Sequence, residues 1–141
     1  MIDVGVRVGS IDLGAPVMTA SGTAGYGSEL AGYLDLSALG AVVTKSLAPY
    51  EWPGNPAPRL HPTPQGMMNA VGLQGPGVRY WLDNVVDDLV ATGATVVASI
   101  WGRSIEDYAQ AAELLAGAPA AVVAVEVNLS CPNLEGRGSI F

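Results

Sequence analysis

The sequence predicts an α/β fold in which a parallel sheet is covered by helices. Four apolar runs of strand length alternate with three helix-like segments. The runs are nearly continuous in their hydrophobicity, as expected of strands buried on both faces. Hydrophobic residues make up 50% of the 141 residues and charged residues only 13%, against roughly 25% in typical globular domains. This composition fits a sheet covered on both faces, or a part of a larger buried assembly.

The first half of the chain is predicted to hold a hairpin and two core strands. Apolar residues alternate around a Gly9-Ser10 turn, which predicts a small antiparallel hairpin. Residues 17–21 form the first core strand and residues 41–46 the second. Between them, a glycine-rich loop precedes a short helix over residues 29–34, for which Ser28 is a suitable N-cap.

The second half is predicted to continue the same alternation. A long proline-rich segment, residues 49–76, comes first, and a connection of that length is usually functional. A helix follows over residues 78–91 and is closed by Gly93. Residues 95–100 form the third strand. Ser104 opens another helix that ends near Gly117, and residues 122–129 form the fourth strand.

Polar and reactive residues collect at the carboxyl ends of all four predicted strands. Parallel α/β folds build their active sites at this edge. The residues at the four ends are Ala20-Ser21, Lys45-Ser46, Ser99 and Asn128-Leu129-Ser130-Cys131.

Two of these residues carry distinctive chemistry. Lys45 is the only lysine, and a lysine on an apolar strand either faces an anionic partner or reaches out to solvent at the strand end. Cys131 is the only cysteine, in a loop before Pro132. This placement suits a reactive thiol, although free cysteine is often a small buried hydrophobe. Asn69 interrupts an apolar stretch and is either functional or a turn residue.

Composition also excludes several classes of function. The net charge of −7 and pI near 4.3 argue against nucleic acid as a partner. One cysteine cannot form an internal disulfide, so a cytoplasmic location is expected. The apolar runs are too short to span a bilayer, no signal peptide is apparent, and no metal-ligand spacing occurs.

Five motifs in register carry a resemblance to a known family. They are Ala20-Ser21-Gly22, Thr44-Lys45-Ser46, Gly54-Asn55-Pro56-Ala57-Pro58-Arg59, Gly66-Met67-Met68-Asn69-Ala70-Val71-Gly72-Leu73-Gln74 and Asn128-Leu129-Ser130-Cys131-Pro132-Asn133. Together they closely resemble the dihydroorotate dehydrogenases, from about residue 8 to the last residue. Each motif alone is modest, but their common order over the whole chain is highly specific.

The resemblance implies an FMN-dependent (β/α)₈ TIM barrel that oxidises dihydroorotate to orotate in pyrimidine biosynthesis. Such a barrel needs about 250 residues and eight strands. Residues 1–141 would therefore form its N-terminal half, about four β/α units after a small β-hairpin, and would be inactive alone. Cys131 indicates the soluble class 1 enzymes. The motifs look most like class 1B, which implies an iron–sulfur FAD electron-transfer subunit that uses NAD, and a homo-oligomer. Gly75 departs from the asparagine common there.

The same resemblance assigns the site residues by position. Cys131 is the base, and Lys45 lies between flavin and substrate. The FMN contacts are Ala20, Ser21, Lys45, Ser46, Ser99 and Asn128, although many relatives have asparagine where this chain has Ser99. The substrate contacts are Lys45, Asn69, Gly72, Leu73, Asn128 and Asn133. Two other functions stay open, namely a dihydropyrimidine dehydrogenase-like flavin barrel and a non-enzymatic half-barrel that needs a complementary chain.

Overall fold

The computed structural model describes residues 4–131 and residue 133. Within them the strands are β1 (Val6–Val8), β2 (Ile11–Leu13), β3 (Val42–Val43), β4 (Leu60–Thr63), β5 (Gly66–Asn69), β6 (Val96–Ile100) and β7 (Val122–Val127). The α-helices are α1 (Val78–Asn84), α2 (Val86–Ala91) and α3 (Ile105–Leu115). Strands β1 and β2 pair antiparallel through Val8 and Ile11, which confirms the predicted hairpin.

The central sheet has the strand order β3-β6-β7, and both pairings are parallel. Val42 pairs with Val96, and β6 pairs with β7 as far as Ile100 and Val127. An additional parallel bridge joins Leu47 to Ile100. The predicted parallel α/β sheet is therefore present, and its carboxyl ends lie along one edge.

The first predicted core strand, residues 17–21, is wrong as a regular strand. The structure has a single parallel bridge there, between Met18 and Ala41. The side chain of Thr19 takes the place of a backbone ladder, because its Oγ1 accepts from the N–H of Val43 at 2.8 Å and donates to the Val43 carbonyl at 3.3 Å. A hydroxyl that bonds to the neighbouring backbone competes in this way with regular pairing.

The predicted helix over residues 29–34 is also wrong. The segment forms successive turns, in which Ala31 N–H donates to Ser28 O and Tyr33 N–H to Leu30 O, both at 2.9 Å. A segment of six residues that includes Gly32 forms too few helical hydrogen bonds to offset the free-energy cost of helix nucleation. A 3₁₀ helix follows at Leu36–Ala38, and the side chain of Asp35 caps it.

The predicted single helix over residues 78–91 is divided into α1 and α2. Val85 leaves helical geometry, with φ −127°, and Asn84 Nδ2 donates back to the Tyr80 carbonyl at 3.0 Å. The paired β-branched residues at 85 and 86 lower the helix propensity at this point. Gly93 ends the pair of helices with φ +78°, as predicted.

Helices α1 to α3 cover one face of the sheet and build the core. Trp81 of α1, Leu89 of α2 and Ala111 of α3 are fully buried against Val96 and Ala98 of β6. None of the helices in the described residues is long and apolar enough to cross a membrane. The core thus fixes β6, and with it the strand ends at which the polar residues lie.

The proline-rich segment, residues 49–76, holds a hairpin that the sequence analysis missed. Strands β4 and β5 pair antiparallel from Leu60 and Asn69 to Thr63 and Gly66. Pro62 lies within β4, which is tolerated because the hairpin is a separate two-stranded sheet with free edges. The hairpin carries Asn69 at the end of β5.

Candidate active site

A chain of hydrogen bonds joins the carboxyl ends of β3, β6 and β7. Ser46 Oγ and Ser99 Oγ are 2.9 Å apart, and Asn128 Nδ2 donates to Ser46 Oγ at 2.8 Å. Both serines are buried, with exposed fractions of 2% and 0%. Three residues that are distant in sequence therefore meet at one edge, as the polar strand ends predicted.

This chain of bonds has one hydrogen too many. Ser46 Oγ accepts from Asn128, and the contact between the two serines uses one of their two hydroxyl hydrogens. Among the described residues, no acceptor is recorded for the other hydroxyl hydrogen. Because an unpaired buried donor costs about 1–3 kcal/mol, the pair is suited to an acceptor atom of a bound molecule.

Lys45 lies beside this network and is half-buried. Its backbone N–H donates to the Gly25 carbonyl at 2.8 Å, which holds the glycine-rich loop against the end of β3. Among the described residues, no hydrogen bond or ion pair is recorded for its ammonium group. The only lysine charge of the chain is therefore available to an anionic or electron-rich ligand.

The glycine-rich loop is stabilised by the carboxylate of Glu29, and the helix predicted over residues 29–34 does not form. Glu29 accepts from the N–H groups of Tyr26 and Gly27 at 3.0 and 2.7 Å. Burial raises the pKa of Glu29, but the backbone N–H groups of Tyr26, Glu29 itself and Gly27 outweigh it, and the net pKa is lowered. Any Cβ on Gly25, which has φ +75°, would lie 2.5 Å from this carboxylate. Before this loop, Ala20 is exposed and Ser21 is half-buried.

Asn69 and Asn133 approach one another across the site. Asn133 Nδ2 lies 3.4 Å from the Asn69 carbonyl and 3.5 Å from its Oδ1. A stronger link comes from Asn55, whose Nδ2 donates to Ala70 O at 2.9 Å and to Asn133 O at 2.8 Å. Asn55 belongs to one of the five motifs but was not predicted as a site residue, since its partner is 78 positions away.

Gly72 and Leu73 both adopt the left-handed conformation, with φ +72° and +58°. Leucine rarely takes this conformation, so surrounding contacts must hold it. Trp52 Nε1 donates to the Gly72 carbonyl at 2.9 Å. Arg59 holds the segment as well, because its guanidinium donates to Pro53 O, Asn55 O and the side chain of Gln74. Arg59 is a second residue that the sequence analysis left out of the site.

Cys131 is half-buried and has a free thiol. It follows Asn128 by three residues, and the N–H of Ser130 between them donates to Asn128 Oδ1 at 3.0 Å. The residue therefore leaves the sheet directly beside the network of Ser46 and Ser99. Pro132 and residues 134–141 lie outside the described residues.

Residues 4–140 match the protein-family model for dihydroorotate dehydrogenase. The chain belongs to the dihydroorotate dehydrogenase family. Several curated relatives are named dihydroorotate dehydrogenase B (NAD(+)), catalytic subunit. The chain is 44% identical to the one from Geotalea uraniireducens over 139 residues and 43% identical to the one from Geobacter sulfurreducens over 139. It is 38% identical to that of Bacteroides fragilis over 141. These matches confirm the predicted family and its likeness to class B catalytic subunits.

The chain covers only part of its relatives. Each alignment spans 99–100% of this chain but 45–46% of the relative. A solved structure of dihydroorotate dehydrogenase from Eimeria tenella, in complex with ferulenol, superposes with a TM-score of 0.66. The superposition covers 95% of this chain and 38% of the Eimeria tenella chain, at 16% sequence identity. This likeness supports the fold of the described part.

Proposed function

We propose that this chain forms part of an FMN-dependent enzyme that oxidises dihydroorotate to orotate, with Cys131 as the base. The observation that carries the proposal is the bonded network of Ser46, Ser99 and Asn128. It gathers three strand ends beside an unneutralised Lys45 and a free thiol. Family membership supplies the substrate class.

The residues at the strand ends fit FMN by their chemistry. The spare hydroxyl hydrogen of the serine pair suits an acceptor atom of the flavin, and the Lys45 ammonium suits the negative charge of a reduced ring. Ala20, Ser21, Lys45, Ser46 and Asn128 would hold the cofactor. Ser99 has no exposed surface, so its own contact stays a prediction. Bound FMN would supply the hydride acceptor.

Dihydroorotate loses a proton from C5 and a hydride from C6. We propose that Cys131, as its thiolate, takes the C5 proton, so that an S–H bond forms as the C5–H bond breaks. The electron pair then becomes the new C5–C6 double bond as the hydride leaves C6. The amides of Asn69, Asn128 and Asn133 can both donate to and accept from the substrate ring, beside the backbone of Gly72 and Leu73.

The remaining amide capacity of Asn128 is consistent with this role. Its side chain uses one N–H for Ser46 and one lone pair for the N–H of Ser130. One N–H and one lone pair are left for a ligand. Asn128 can therefore serve the network and a bound molecule together.

We also propose that the sheet is half of a (β/α)₈ barrel formed by residues 1–141 with further strands. Strand β7 pairs only with β6 in the described residues. Its alternate residues Val123, Val125 and Val127 are 39%, 41% and 54% exposed. A further strand would pair along the edge of β7, and the helix that connects it would cover this apolar surface. The names of the relatives favour an electron-transfer subunit as partner and NAD as final acceptor, and the single cysteine favours the cytoplasm.

The test uses a completed barrel, meaning residues 1–141 joined to the part of the Geotalea uraniireducens relative that this chain does not cover. The barrel is loaded with FMN and mixed anaerobically with dihydroorotate or with dihydrouracil, which lacks the carboxylate. We expect rapid bleaching of the flavin by dihydroorotate alone. Faster bleaching by dihydrouracil would favour a dihydropyrimidine dehydrogenase, and bleaching by neither would refute the proposal.

A further inference from the structure

Asn128 is bonded through all four of its polar groups. Its N–H donates to Ile100 O at 2.9 Å, and its side chain bonds to Ser46 and Ser130. Its carbonyl accepts from the hydroxyl of Tyr108 at 2.7 Å. Tyr108 lies on α3, outside the strand ends, and no motif of the sequence pointed to it.

The carbonyl of Asn128 needs this donor because the sheet ends there. The last pair of the ladder joins Ile100 to Val127. The N–H of Trp101 faces β3 and donates to Leu47 O at 3.0 Å, and the next N–H on the β7 side would be that of Gly102, for which no bond to Asn128 O is found among the described residues. The Tyr108 hydroxyl thus replaces a ladder donor at the point where the chain leaves β7 towards Cys131.

The first turn of α3 is itself firmly held. Ser104 Oγ accepts from the N–H of Asp107 at 3.2 Å, which caps the helix. The Asp107 carboxylate accepts from the N–H of Arg103 at 2.7 Å and from the Tyr50 hydroxyl at 3.0 Å. Because these bonds anchor the first turn of α3, the position of Tyr108 relative to the end of β7 is fixed.

We propose that Tyr108 is a positioning residue for the thiol of Cys131. Its hydroxyl fixes the peptide at Asn128 and therefore the direction of the three-residue step to Cys131. A base must lie within hydrogen-bond reach of the proton that it takes, so a small displacement is costly in rate. This inference rests on the proposed function, since it concerns the same base.

The test compares Tyr108→Phe with Tyr33→Phe in the completed barrel loaded with FMN. Tyr33 is 87% exposed, so its variant controls for the loss of a hydroxyl. Stopped-flow bleaching by dihydroorotate gives the rate constant, the amplitude and the substrate dissociation constant. For Tyr108→Phe we expect the rate constant to fall about fivefold, as for the loss of one hydrogen bond, with the dissociation constant within about twofold.

Two further readouts separate positioning from mere stability. Substrate deuterated at C5 should show a larger isotope effect in Tyr108→Phe, because proton removal becomes slower. The alkylation rate of Cys131 by iodoacetamide, followed by mass spectrometry without substrate, should also change. A purely structural role would lower only the bleaching amplitude, that is, the active fraction.

The outcomes are distinct. If the parent bleaches, and Tyr108→Phe matches Tyr33→Phe in rate constant, isotope effect and alkylation, the positioning role is overturned. If the parent itself does not bleach, the proposed function fails, and this inference falls with it.

Discussion

Replacing Asn55 should detach the proline-rich segment from the loop that carries Cys131. Asn55 Nδ2 uses both hydrogens, one for Ala70 O at 2.9 Å and one for Asn133 O at 2.8 Å. Each such bond is worth about 1 kcal/mol, so Asn55→Ala should lower the free energy of unfolding of the completed barrel by about 2 kcal/mol. Asn55→Asp should cost more, because it turns a carboxylate oxygen towards two carbonyls.

Urea unfolding of the completed barrel measures this effect, with Asn84→Ala as the matched control. Asn84 is exposed, and among the described residues its Nδ2 bonds only to Tyr80 O within its own helix, where alanine is the better helix former. The control should therefore change stability by less than about 0.5 kcal/mol. If Asn55→Ala destabilises no more than Asn84→Ala, the two bonds do not hold the loops together and the reasoning is refuted.

Three further predictions concern the completed barrel. Cys131→Ala should keep the flavin spectrum but bleach about 10² to 10⁴ times more slowly with dihydroorotate, and Cys131→Ser should retain a little activity; bleaching within a few fold of the parent would make the thiol a bystander. Lys45→Met keeps the side-chain volume but removes the charge, and it should slow bleaching. An unchanged rate would mean that Lys45 is only a packing residue. The pKa of Glu29 is lowered below its ordinary 4.5, so its ionised form contributes stability that is present above the unfolded pKa and lost as pH falls through the folded pKa. Glu29→Gln should therefore unfold at lower urea than the parent at about pH 7, with the difference shrinking as the pH falls below 4.5; a difference that is independent of pH would contradict this.

Local sequence chemistry was enough to predict the elements that depend on neighbours in the chain. Ser104 caps α3 as predicted, and its Asp107 reaches back to the N–H of Arg103 instead of that of Ser104. The apolar run of β6 and the left-handed Gly93 were also predicted correctly. In each case the deciding interaction spans at most a few residues, so the order of residue types along the chain already contains it.

The turns at residues 29–34 have a local cause, since six residues that include Gly32 are too few for a helix, but the strand predicted at residues 17–21 depends on a distant partner. Residues 17–21 lack a regular ladder because the Thr19 hydroxyl bonds to Val43. Propensity and periodicity describe a window of the chain, and neither can include a side chain that is claimed by a backbone group elsewhere.

For the candidate site, the order of residues along the chain is enough to predict which residue types lie at the strand ends, since parallel strands that alternate with helices bring their carboxyl ends to one edge. The hydrogen bonds that hold those residues depend on the packing of distant segments. Ser46 and Asn128 are 82 positions apart, and Asn55 and Asn133 are 78 apart. Tyr108 could not be predicted as a site residue because its role rests on a hydrogen bond to Asn128, 20 positions away on another element. A hydrogen bond depends on distance and direction in space, and these are set only when the sheet, the helices and the loops have packed together.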